Sequence, residues 1–135
     1  MRKFPIVIGT CMVIALVLTV VGQESALDPV MKQVGPTFQS LQAGITAKDA
    51  AKVAADAAKL EGLFKEAEAF FVKEKLDDAI SLAKQAGGAA GETAKAAKAG
   101  DMDAATTASA GIGKCKACHA VHREQLPDKS FKFKR

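Results

Sequence analysis

An all-α, up-down-up-down antiparallel four-helix bundle is the fold class that this sequence predicts, on three observations. Apolar residues recur at alternating steps of three and four through four successive segments, the spacing of one helical face. No stretch carries the β-branched alternation of a strand. The breaks between segments are short and hold capping residues, glycine or proline, and short connections make neighbouring long helices antiparallel. At 135 residues the chain is one domain's worth of material.

Met1–Gly22 precedes the bundle. Arg2 and Lys3 lead an apolar run from Phe4 through Val21, and Val20 and Gly22 are small enough to flank a signal-peptidase cut. The pattern predicts a cleaved signal peptide over residues 1–22, a mature domain over 23–135 and a periplasmic location. An uncleaved anchor is the other reading, since about 18 apolar residues approach spanning length. Ile8-Gly9-Thr10 is a poor lipobox before Cys11, and the apolar run continues past it.

The first predicted helix runs from about Asp28 to Gly44, with Asp28 as cap and Pro29 in the first turn. Its stripe is Leu27, Met31, Val34, Phe38, Leu41 and Ile45. Pro36 removes the bond to the Lys32 carbonyl and is expected to bend it. The second starts at a Thr46 cap and continues to about Lys73 through Val53, Ala57, Leu60, Phe64, Ala67 and Phe71. The third spans about Leu76 to Ala99, is weakened near Gly87-Gly88, and ends at Gly100. The fourth begins at the Asp101 cap, carries Ala105, Ala108, Ile112, Cys115, His119, His122 and Leu126, and is stopped by Pro127. With four alternating rods, the start of the first lies beside the end of the last.

Composition narrows the class of protein. A hydrophobic content of 49% includes only 5% aromatics, with no Trp or Tyr, so the apolar mass is mostly alanine. Such a core buries little area against the chain entropy. A charged fraction of 25% and a pI near 9.0 exclude an acidic disordered tail and a strongly polybasic nucleic-acid binder. The net charge of +4, which falls further once Arg2 and Lys3 are removed, is too small to dictate a partner.

Cys115-Lys116-Ala117-Cys118-His119 is CxxCH, the c-type haem attachment signal. Cysteines at i and i+3 on one helical face reach the two vinyl groups of one porphyrin, and the adjacent histidine meets the iron from the same side. A thioredoxin-like CxxC opens a helix, where the dipole lowers the thiol pKa; here the pair sits late in one. Zinc needs four ligands, and these cysteines with His119 and His122 crowd one helix without a second half. One covalent haem c is the expected cofactor, near the C-terminal end of the fourth helix. It would also supply the apolar area that the alanines lack.

The ligand on the other iron face comes from a short list: His, Met, Cys or Tyr. Tyr is absent, both cysteines are committed, and His122 shares a helix with His119. Met102 precedes His119 by about 25 Å of helix at ~1.5 Å per residue. Met31, in the first turn of the first helix, faces the end of the fourth by topology. As the alternative, Met31 fills the core and the site is five-coordinate with an apolar distal pocket, suited to nitric oxide or carbon monoxide.

A four-helix chain with CKACH near its end and Met31-Lys32 near its start resembles the class II cytochromes c, the cytochrome c-prime group. Within that group, Met followed by Lys resembles the low-spin, six-coordinate members. The resemblance implies a periplasmic monohaem protein with His119 and Met31 as axial ligands, often dimeric through the first two helices. It also implies a basic residue four positions after the haem histidine, matched by Arg123. Leu27 stands where many members carry a propionate-binding arginine.

The reading is therefore a periplasmic electron carrier rather than an enzyme. It would serve redox partner proteins, with no nucleic acid and no membrane once the signal is removed. A gas-binding protein is the alternative, and a haem-free scaffold with a redox-active CxxC is a third. His122 is expected to be a surface imidazole. The basic tail Asp128–Arg135 is expected to be solvated and irregular, or else to dock an acidic redox partner.

Overall fold

A computed structural model describes residues 25–135, and the predicted signal peptide lies outside the described residues. Three long helices come first: α1 (Asp28–Thr46), α2 (Ala50–Glu74) and α3 (Asp77–Lys98). The fourth rod is α4 (Met102–Ser109), a 3-10 helix (Ala110–Cys115) and α5 (Lys116–His122). The chain closes with a hairpin of β1 (Arg123–Gln125) and β2 (Phe131–Phe133). Helices packed on one another make up most of the described chain, as an all-α bundle requires. Among the described residues no helix is long and apolar enough to cross a membrane.

Local chemistry explains the breaks. Asp49, rather than Thr46, caps α2, its carboxylate accepting from the Lys52 amide at 3.0 Å. Thr46 is still helical and returns its hydroxyl to the Gln42 carbonyl. Asp28 is not a cap either: its carboxylate accepts from the Ser25 amide at 2.7 Å. Asp101 does cap α4, accepting from the Ala104 amide, and Gly100 just before it takes a φ of +79° that L side chains disfavour. The glycine pair of α3 does not interrupt it. Gly87 is buried against the Phe64 Cβ, where a smooth face lets α2 and α3 approach.

The fourth rod is not one continuous helix to Leu126. Thr106, Thr107 and Ser109 return their hydroxyls to carbonyls of the preceding turn, and Gly111 and Gly113 are poor helix formers. The tighter 3-10 winding brings Gly111 so close to α3 that a Cβ there would lie 2.8 Å from the Ala89 Cβ. Ile112 is thereby fully buried.

Helix geometry ends at His122, because Arg123 is extended and pairs with Phe133 across the hairpin. The tail is thus folded rather than irregular. Asp128 shapes its turn by accepting from the Ser130 amide at 2.9 Å, and Lys129 takes a φ of +66°.

Two apolar clusters fill the interior. The smaller, Val53, Ala54, Ala97 and Ala105, has Met102 packed against it. The larger joins Leu41, Leu60, Phe64, Phe71, the alanines of α3 and Ile112, and Met31, Phe38, Cys115, Cys118 and Phe133 pack on its edge. α1 rests chiefly on α2 and meets α4 only marginally. That spacing leaves an opening between α1 and the end of the fourth rod.

Candidate functional site

The opening is a cleft of about 1910 Å³. Drug-sized pockets run to roughly 300–1,000 Å³, so this one has room for a larger ligand. One wall is the start of α1, with Met31, Val34 and Phe38; the floor is Phe64, Ala67 and Phe71 of α2 with Leu82 and Ala83 of α3. Cys115, Cys118 and His119 also line it, as do residues of the hairpin. All four residues singled out by the sequence line this cleft, whereas Met102 belongs to the other apolar cluster and does not. Met31 comes from the first helix and the other three from the fourth rod, which is why no local motif contains all four.

Cys115 ends the 3-10 helix and Cys118 lies in the first turn of α5. Both are free thiols, half-buried against the main core. Burial pushes both thiols up, and for Cys118 the charges of Asp78 and Cys115 add to it. A thiol–disulfide catalyst needs the opposite shift, so the redox-active CxxC reading finds no support in this environment. Among the described residues no three His, Cys, Asp or Glu side chains converge as a metal-binding group, which leaves a zinc site without its ligand set.

His119 is exposed at the cleft. Partial desolvation, aided by the positive charges of Arg123 and Lys116, holds its imidazole below the ordinary histidine pKa. That shift favours the neutral ring, the form that ligates metals. The Arg123 guanidinium lies 3.4 Å from His119 Nδ1 and sits over the Phe131 ring, 3.3 Å from its centroid. Arg123 is on β1, yet its charge still reaches the histidine four residues before it.

His122 is not a surface imidazole. It is buried, with Nε2 2.9 Å from Asp78 Oδ2 and Nδ1 3.1 Å from the Lys134 carbonyl oxygen. Sequence reasoning missed it because the hairpin that covers it was not foreseen. Phe133 supplies most of that cover, stacking on the His122 ring and meeting Phe70 edge-on.

A flat macrocycle fits these residues. The cleft offers an apolar floor together with two thiols, an imidazole and a thioether. Compared with known proteins, the chain matches no family model, no curated protein and no solved structure.

Proposed function

We propose that this protein is an exported, periplasmic monohaem c-type cytochrome, an electron carrier of the class II kind that CKACH and Met31-Lys32 resemble. The observation that carries the reading is the shared cleft: Met31, Cys115, Cys118 and His119 all line it. A charged, Arg-Lys-led apolar leader and the CxxCH spacing support it from the sequence.

Bound there, haem supplies a one-electron ferrous–ferric couple. Cys115 and Cys118 would hold it through thioether bonds to its vinyl groups. His119 would offer a ring nitrogen to the iron and Met31 a soft sulfur, a pairing that would favour the ferrous state and raise the potential. Phe64, Phe71 and Leu82 keep water from the inner part of the cleft. The guanidinium of Arg123, next to His119, adds positive charge that opposes oxidation. The outer side, lined by exposed His119 and Lys116, is where an electron reaches a partner.

Absorption spectra of the purified protein in both redox states test attachment and ligation together. A haem that survives denaturation, with low-spin bands in the ferric form, is the expected result. A protein without covalent haem overturns the proposal. One observation favours the five-coordinate, gas-binding reading: Met31 packs on the main apolar cluster, as a space-filling side chain does. That reading gives a high-spin ferric spectrum and ferrous carbon monoxide binding that Met31→Ala leaves unchanged.

A further inference from the structure

His122 has no part in the chemistry above, although among the described residues it is the one ionisable side chain that is buried, at 6% exposure. Its ring joins three elements. Nε2 meets Asp78 Oδ2 in the first turn of α3, and Nδ1 meets the carbonyl of Lys134, just past β2. A carbonyl and an ionised carboxylate both only accept, so the ring that bridges them donates from Nδ1 to Lys134 and from Nε2 to Asp78. The Lys134 amide in turn donates to the His122 carbonyl at 2.9 Å, satisfying an acceptor at the end of α5. The ring also stacks on Phe133, with centroids 5.8 Å apart and planes at 21°.

α5 needs such a tether. It has seven residues, no side-chain cap, and a 3-10 helix rather than an α-helix before it. Helices this short have little stability of their own. The direction in which α5 points is therefore set by what holds its last turn. His119 is three residues before His122 on the same short helix, so whatever fixes one orients the other.

We propose that His122 is a positioning residue: by pinning the last turn of α5 to Asp78 on α3 and to the Lys134 carbonyl in the hairpin, it fixes how His119 presents its imidazole to the cleft. The inference rests on the haem reading for its consequence, while the pin itself is independent of it. Loss of the pin leaves both cysteines in place, so haem stays attached while its axial ligation loosens.

The test uses the full haem-loaded chain and three variants. His122→Phe keeps a stacking ring and removes both bonds; Asp78→Asn weakens one; Asp78→Glu restores the charge. In His122→Phe, retained covalent haem and helical content are expected with a high-spin ferric fraction and a lowered reduction potential. Asp78→Asn changes both in the same direction by less, and Asp78→Glu returns toward the parent. A folded His122→Phe with parental spectrum and potential overturns the proposal. If His122→Phe does not fold, Asp78→Asn decides: the Asp78 side chain is 56% exposed, and a parental spectrum and potential in that variant overturn the proposal equally. Amide exchange at Phe133 and Lys134 separates the two readings, with about tenfold faster exchange expected once the pin is cut. Unchanged exchange overturns the pin. Absence of covalent haem in the parent protein overturns the haem reading, and the proposed role of His122 toward His119 with it, while the exchange result still stands or falls alone.

Discussion

Met31 illustrates how one side chain can be read in two ways until its surroundings are known. It is half-buried, touches the main apolar cluster, and lines the cleft that the CxxCH residues share. Truncation to Ala is expected to cost about 1–2 kcal/mol of stability, the lower end for a partly buried methionine, measured by urea unfolding. The more telling expected change is optical: ferric haem becomes high-spin in Met31→Ala, and ferrous haem binds carbon monoxide faster. Asp78 gives a second residue-level prediction. The hydrogen bond from His122, helped by the Ala79 amide, holds its carboxyl below the ordinary value of 3.8. A carboxylate with a depressed folded pKa adds stability above its unfolded pKa, and that stability is lost as pH falls through the folded value. The His122 contact is therefore expected to weaken on acidification below pH 3.8, seen as loss of dispersion in the Phe133 ring resonances. Asp128, held low by Ser130, titrates in the same direction. The part that Asp78→Asn abolishes is the contribution of Asp78.

At the scale of elements, the fourth rod shows where a periodic pattern misleads. Ala105, Ala108, Ile112, Cys115, His119 and His122 keep helical spacing, but spacing alone ignores what lies between them. Thr106-Thr107, Ser109, Gly111 and Gly113 weaken the α-helix, and close contact with Ala89 selects the 3-10 form. Gly111→Ala is expected to destabilise the protein by about 1–3 kcal/mol, since the Ala89 Cβ belongs to a packed helix and cannot give way. Denaturant midpoints check it. The three long helices were legible because their alanines and leucines agree in propensity and pattern, and Asp101 and Gly100 punctuate them as expected. The hairpin was also written in the residues, in the Pro127-Asp128 turn and the alternation of Phe131-Lys132-Phe133. Charge in the tail hid it. Burial of His122 had no local signal, because it depends on Phe133 and Asp78 arriving from elsewhere.

For the whole molecule, the alanine-rich interior and the cleft are two aspects of one design. Alanines at 79, 83, 86, 90 and 94 let α3 pack closely on its neighbours, while α1 stands away from the end of the fourth rod and leaves room. The proposed macrocycle would add the large apolar surface that these small side chains do not. Replacing both Cys115 and Cys118 by Ser is expected to abolish covalent attachment and to lower the melting temperature by about 5 °C or more, as loss of ~1 kcal/mol does in a domain of this size. Scanning calorimetry alongside haem staining checks it. The CxxCH spacing is plain in five consecutive residues; the cleft was not, because its lining comes from opposite ends of the chain.

That lining also sets an order of events. The bonds that hold the C-terminal hairpin in place, His122 to Asp78 and Arg135 to Glu74, span 44 and 61 residues. Contacts that close such long loops are rewarded only after much of the chain is already arranged. A nascent polypeptide therefore assembles a three-rod platform first and acquires its fourth side last. Until that final stretch is in place, the hairpin side of the cleft that CKACH lines stays open.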